Sequence, residues 1–290
     1  VIFNDYKAGQ LGNRLFHTSQ LMVLAQETNS TLVDFSFDDY KANFQNLYNK
    51  SFIIYPPAKA SAFKYKMLAP VKSRLPHLRD FINHRNLAGN KWLGLINQNG
   101  LVMTDFAELL KQRNAYNNYI IEGWISRDIT PLAKYRKQLT AFFIPRQQHL
   151  TNIEMLIQKA RKDVDMLVGI HIRRGDYKQY RNGELYFDDN VYLNIMVNMQ
   201  LQFPDKKIRY LICSNEEVDW ANYSAYQVIP ANNQIIEDMY ALSYCDYIAG
   251  PISTYSMWAS FIGQRPLYQI YKKDLEFNFN HFKIINDRSQ

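Results

Sequence analysis

Hydrophobic positions in this chain follow two rhythms that alternate along its length. Short apolar runs bounded by turn residues read as strands, and apolar residues three and four apart read as helices. Val1-Ile2-Phe3 predicts a strand, Gly9-Gln10-Leu11-Gly12-Asn13 a loop, Leu15 to Glu27 a helix and Thr31 to Asp34 a strand. From about residue 40 to 115 no clean period emerges. Tyr119 to Trp124 then reads as strand and turn, and Leu132 to Phe143 as a helix.

Pro145 marks a boundary, and the pattern beyond it is more regular. Helices are predicted over Ile153–Arg161, Val191–Phe203, Ile235–Tyr244 and Ser253–Ile262. Strands are predicted over 166–172, Ile208–Cys213, Tyr226–Ile229 and Tyr247–Ala249. Strands alternating with helices imply βαβ units, a parallel sheet and right-handed crossovers. A chain of 290 residues is long for one core and comfortable for two domains, read here as 1–145 and 146–290.

Composition narrows the class. Apolar residues make up 47% and charged residues 21%, the balance of a globular chain. A net charge of +7 favours acidic ligands without choosing among nucleotides, nucleic acid and anionic membrane. Eight Lys or Arg against one acid between Lys59 and Lys91 fit either a nucleic-acid or membrane surface or, more commonly, the solvated face of amphipathic helices. Cys213 and Cys245 read as small buried hydrophobes, and no zinc-ligand spacing occurs. No apolar run reaches the roughly 18 residues of a membrane span, and no signal-peptide pattern occurs. The chain opens without Met, which leaves open a removed anchor.

The chemistry concentrates where predicted strands end. Val168-Gly169-Ile170-His171-Ile172-Arg173-Arg174-Gly175-Asp176-Tyr177 is a buried strand that delivers two arginines into a turn. An Arg fork matches a phosphate bidentately, and open α/β sheets bind ligands at the carboxyl ends of their strands. The alternative is pairing of Arg173 and Arg174 with internal carboxylates such as Asp176. Gly9 to Arg14 and Gly250 to Ser256 are strand-to-helix turns that suit either helix capping or an anion at a helix N-terminus. Asp238 reads as a solvated helix charge or as an acceptor for the N–H donors of guanine.

These stretches, in this order, resemble the fucosyltransferase superfamily that shares an HxRRxD motif, and most closely its α1,2 branch, glycosyltransferase family 11. His171-Ile172-Arg173-Arg174-Gly175-Asp176-Tyr177 matches the family's HIRRGDY segment without a gap. Gly9 to Phe16, Ile121 to Trp124 and Glu237 through Trp258 are similar to three further family blocks. Gln10, Arg14, Ile252, Met257 and Ala259 depart from the family pattern. The resemblance implies a GT-B fold: two Rossmann-like domains with a cleft between them, the N-terminal one serving the acceptor and the C-terminal one holding GDP-fucose. By matched position it implies donor contacts from His171, Arg173, Arg174, Asp238, Ser253, Thr254 and Ser256. Gly12 and Asn13 would reach the donor from the N-terminal side.

The implied chemistry is inverting transfer of L-fucose from GDP-β-L-fucose to a glycan hydroxyl, α1,2 to a terminal galactoside. The Arg173–Arg174 pair and the Ser253 helix terminus would supply fixed positive charge in place of a metal ion, so neither metal nor other cofactor is expected. Asp163-Val164-Asp165, the one tempting metal motif, precedes its strand. Candidate bases are Asp176, Glu184, His17 and Glu122. Arg14, His17 and Glu122 are the acceptor-side candidates, with a core or surface role favoured for His17. Expected partners are a GDP-sugar and a glycan, with no nucleic acid and no membrane span. The expected location is the bacterial cytoplasm, with a Golgi-lumen catalytic domain as alternative. Competing readings are a transferase for another sugar nucleotide, a non-catalytic nucleotide or glycan binder, and a nucleic-acid binder.

Overall fold

A computed structural model of the chain describes residues 1–57, 70–78, 80, 93–97 (backbone only), 117–125, 129–274 and 276–285. It divides into two compact units, Val1–Ile144 with Asn286–Ser289, and Pro145–Ile285 with Gln290. Most of the basic stretch between Lys59 and Lys91 lies outside the described residues. Its described part, 70–78, is helical, with Leu75 buried against Val33, Phe35, Phe52, Ile54 and Ile120 and with Lys72 and Arg74 exposed. That is the amphipathic-helix arrangement.

The first unit holds strands β1 (Ile2–Asn4), β2 (Leu32–Asp34), β3 (Ile53–Tyr55), β4 (Leu93–Asn97) and β5 (Asn118–Glu122) in the order β3-β2-β1-β5-β4. Pairings are parallel except β2–β3. Helix α1 (Leu11–Glu27) follows β1, and α2 (Thr130–Phe142) closes the unit with Pro131 in its first turn. The sequence reading began α1 four residues late. Gly9 turns the chain with φ +38°, and Leu11, Gly12 and Asn13 already belong to the helix. Nearly every residue of α1 is buried, so burial rather than an amphipathic stripe fixes its start.

The second unit holds β6 (Met166–Ile172), β7 (Ile208–Ser214), β8 (Val228–Ala231), β9 (Tyr247–Pro251) and β10 (Leu267–Ile270), all parallel, in the order β10-β9-β6-β7-β8. Its helices are α3 (Gln147–Arg161), α4 (Asp189–Gln202), α5 (Ile235–Leu242) and α6 (Thr254–Gly263). β6 is the central strand and is buried from Leu167 onward, which explains its unbroken apolar run. From β6 the chain builds outward through β7 and β8, then returns to β9 on the other side. The ends of β6 and β9 are therefore a topological switch point of Rossmann type, where open sheets bind ligands.

Two glycines let the backbones close there. A Cβ on Gly250 would sit 2.8 Å from the His171 carbonyl oxygen on the neighbouring strand. One on Gly175 would sit 2.6 Å from Asn215 Nδ2. One face of the sheet packs on Tyr192, Ile195, Met196 and Met199 of α4. On the other, Glu237 of α5 binds His149 Nδ1 at 2.7 Å and Asn152 Nδ2 at 2.9 Å, tying α5 to α3.

Candidate active site

The HxRRxD segment leaves β6 at this switch point. His171, the penultimate residue of the strand, is buried and packs on the Tyr255 ring at 4.8 Å. Burial, with the positive charge of Arg173, pushes its pKa to about 3, so it is neutral at working pH. It shapes the wall and carries no charge to a ligand.

The two arginines separate in role. Arg173 donates from Nε and Nη2 to the two oxygens of Asp176 at 2.9 and 2.8 Å, and lies 5.3 Å from the Tyr177 ring. Its partner is a surface carboxylate whose side chain is 55% exposed. The Arg173 side chain is 15% exposed, so the pair is open to solvent on its carboxylate side. Arg174 turns the other way, donating to the Phe187 carbonyl at 3.1 Å and to Asp189 at 2.5 Å beneath the Tyr192 ring. The sequence reading put both side chains on the donor. The structure instead ties the Arg174 fork to the protein's own groups.

The β9–α6 turn meets the same strand end. Ser253 caps α6, its hydroxyl accepting from Tyr255 N at 3.3 Å, and Thr254 opens the first turn. Ser256 is wholly buried, its hydroxyl donating to the Ser253 carbonyl at 3.2 Å, so it stiffens the turn. Tyr177 O–H reaches the Ile252 carbonyl at 2.8 Å and joins the HxRRxD turn to this one. Tyr255 O–H binds the Ile235 carbonyl at 3.0 Å and joins α6 to the start of α5. Asp238, one turn into α5, is 7% exposed and accepts from Asn233 N at 3.2 Å. Burial, opposed by those Asn233 bonds, raises its pKa to about 7. The three stretches singled out in the sequence of this unit thus converge on one strand end. Tyr177 and Tyr255, which connect them, were missed because nothing local marks a tyrosine whose partner lies some 20 to 75 residues away.

The family model of glycosyl transferase family 11 matches residues 1–280. The chain belongs to glycosyltransferase family 11. It is therefore a glycosyltransferase with a GT-B fold of two Rossmann-like units. No curated protein matches it. A mutant FUT1 of Arabidopsis thaliana in complex with GDP is similar in fold, with TM-score 0.56 at 12% identity over 94% of this chain and 71% of its own. Fucosyltransferase NodZ from Bradyrhizobium gives 0.56 at 13% identity over 93% of this chain and 95% of its own. POFUT1 in complex with GDP gives 0.51 at 11% identity over 93% and 97% of the two chains.

Other candidates in this glycosyltransferase lie apart from that strand end. Glu184 is exposed in the loop after the motif, where Arg181, Asn182 and Gly183 all have positive φ. Asp165 binds the Lys207 backbone N–H at 2.8 Å at the opposite end of β6 from Arg173. Seven residues of strand put that motif about 20 Å away.

In the first unit, Gly12 is buried and Asn13 half-buried in the first turn of α1. Arg14 is 6% exposed and donates to the carbonyls of Gly9 (3.2 Å) and Ser36 (2.5 Å) and to Asp39 (2.9 Å). It braces the turn, which removes it from the acceptor-side candidates. His17 is wholly buried among Tyr6, Trp124 and Asn4. Burial, with the Arg14 charge, pushes its pKa to about 3. It belongs to the core and cannot serve as a base. Glu122 is half-buried at the end of β5. Asp34, unremarked in the sequence, is a buried carboxylate raised by burial. It accepts from Asn4, Thr18 and Ser36 at 2.7 to 2.9 Å. Among the described residues no helix is long and apolar enough to cross a membrane.

Proposed function

We propose that this glycosyltransferase moves L-fucose from GDP-β-L-fucose to a glycan hydroxyl, α1,2 to a terminal galactoside, with inversion and without a metal ion. One observation carries the reading: the Arg173 fork stands at the switch point of the nucleotide-type unit, and its ion-pair partner among the described residues is an exposed carboxylate three residues away. Solved relatives in fold have been captured with GDP-fucose, as in the NodZ α-1,6-fucosyltransferase soak, or with GDP.

On this reading Arg173 exchanges Asp176 for the diphosphate. The Ser253 and Thr254 hydroxyls and the first-turn N–H groups of α6 complete the grip, helped by the helix macrodipole. Asp238, once ionised, accepts the N1–H and N2–H of guanine. The bond from fucose C1 to the diphosphate oxygen breaks ahead of attack, and negative charge gathers on the leaving GDP. Fixed donors aimed at that charge stabilise the transition state without reorganising. The acceptor oxygen joins C1 from the opposite face, converting the β donor to an α product. Its proton passes to a carboxylate, for which Asp176, freed by the exchange, and Glu184 are the second-unit candidates. Residues 1–145 would serve the acceptor, with Glu122 its remaining candidate contact, and 146–290 the donor. Gly12 and Asn13 would reach the donor from the N-terminal side. The free, buried Cys213 and Cys245 fit a reducing compartment such as the bacterial cytoplasm.

The test is calorimetry with GDP in EDTA, followed by turnover of GDP-fucose on a β-galactoside with the product linkage read by NMR. Binding in EDTA and an α1,2 product support the reading. No GDP affinity would overturn the donor assignment, and GDP affinity without turnover on any glycan would make the chain a binder.

A further inference from the structure

Arg173 and Arg174 are neighbours of identical chemistry, yet the fold treats them oppositely. The reason lies in two distant segments. Asp189, in the first turn of α4, receives Arg174 Nη2 at 2.5 Å and the Tyr223 hydroxyl at 2.6 Å on one oxygen. Asn222 Nδ2 donates to its other oxygen at 2.8 Å. Tyr223 is wholly buried, and the Arg174 and Asp189 side chains are 11% and 19% exposed. The backbone is held as well: Arg174 N donates to Asn215 Oδ1 at 2.9 Å, in the loop after β7. Residue 174 is therefore fixed through both its peptide and its side chain by distant segments, whereas the Arg173 side chain meets the local Asp176 and the Tyr177 ring.

A largely buried ion pair is a weak source of stability, because desolvation offsets most of its attraction, and an apolar pair of similar size would pack as well. What such a pair supplies is direction. The two forks leave the end of β6 for different partners, Asp176 for Arg173 and the Phe187 carbonyl with Asp189 for Arg174. Locking the Arg174 fork onto Asp189 therefore keeps it away from Arg173 and its local partner.

We infer that Asp189 is a positioning residue for glycosyl transfer: by holding Arg174 within the second unit, with Tyr223 and Asn222 behind it, it aims Arg173 at the donor diphosphate. This rests on the reading of Arg173 as the diphosphate ligand. Asp189 would act through Arg174, to which it is bonded, and not on the substrate itself. Its carboxylate is kept ionised by the Tyr223, Arg174 and Asn222 bonds, which outweigh the opposing effect of burial.

The test compares Asp189→Asn, Tyr223→Phe and Arg173→Lys, with the Asp189→Asn/Arg173→Lys double variant, in the full chain. GDP affinity, kcat, acceptor KM and Tm are measured for each. Asp189→Asn weakens GDP binding and lowers kcat by about 10- to 100-fold, the cost of a misaimed group, and leaves acceptor KM within about twofold. Tyr223→Phe keeps the ion pair and moves the same two quantities by roughly two- to fivefold. In the Arg173→Lys background the Asp189 substitution loses most of its effect, since residues acting through one another are non-additive. A lower Tm with GDP affinity within twofold of wild type, or full additivity with Arg173→Lys, would overturn the inference. Should Asp189→Asn not fold, unchanged GDP affinity in Tyr223→Phe overturns it equally. If wild type itself fails to bind GDP, it is the donor assignment that falls.

Discussion

The two units share one topology at their centres and use it differently. In each, the chain leaves a central strand and returns on the other side, at β1 and β5 in the first unit and at β6 and β9 in the second. At the first switch point Arg14 and Asp34 are spent internally and His17 is buried. Arg14 serves two carbonyls and Asp39, Asp34 is saturated by Asn4, Thr18 and Ser36, and His17 is sealed in. At the second, Arg173 rests on a surface carboxylate, Ser253 opens a helix N-terminus, and Asp238 is a carboxyl held near the middle of the working pH range. A Rossmann-type switch point is therefore only an opportunity. Whether it becomes a ligand site depends on whether its polar groups keep replaceable partners.

That contrast can be broken by substitution. The largest effect is expected for Arg173→Ala, which should lower GDP-fucose turnover by about 10²–10³. Its Tm should stay near wild type, because the Asp176 pair is exposed. Arg173→Lys should be nearly as poor, since a point charge does not replace the fork. A variant retaining most of its turnover would end the donor assignment.

Acid should test both units together. His17 and His171 are each held near pKa 3 by burial, below the ordinary 6.5. The unfolded chain therefore takes up these protons first. The associated stability is complete above pH 6.5 and is lost as pH falls toward 3, about 5 kcal/mol at most for each. Replacing either by Gln should flatten the fall in Tm between pH 6 and 4; an unchanged slope would show that these histidines are not buried neutral.

Arg14→Met should reverse the Arg173 pattern, costing roughly 2–3 kcal/mol in urea unfolding through lost bonds to buried carbonyls while leaving GDP affinity unchanged. A tenfold loss of GDP affinity would show that Arg14 itself, and not only Gly12 and Asn13 beside it, serves the donor.

GDP affinity should fall as pH drops below about 7, where Asp238 takes up a proton, and Asp238→Asn should be weak and flat with pH. Because burial raises this folded-state pKa, its stabilising contribution is present below the unfolded value of 3.8 and is lost as pH rises through 7. The same variant should therefore melt higher than wild type at pH 8. The smallest effect is expected for Asp176→Asn, which releases Arg173 and should tighten GDP by a few-fold at most, measured by calorimetry.

Much of the second unit was legible in the sequence because its signals are local. The strand 166–172 is bounded as expected, since both faces of a central parallel strand are apolar. The Ser253 cap and the i,i+3 pairing of Arg173 with Asp176 are also short-range. The antiparallel strand Ile53–Tyr55 was not, because three residues carry no period and its pairing with β2 is non-local. The true start of α3 at Gln147 was missed for a related reason. Its first turn is polar, and His149 is buried only through Glu237, 88 residues away.

The order of βαβ units, the family and the turn that presents two arginines follow from the sequence alone, because periodicity and contiguous motifs are properties of neighbours along the chain. Which arginine is tied to distant segments was decided by tertiary structure. Two identical side chains one residue apart differ only in what the fold brings to them, and Asp189 and Tyr223 arrive from 15 and 49 residues further along the chain.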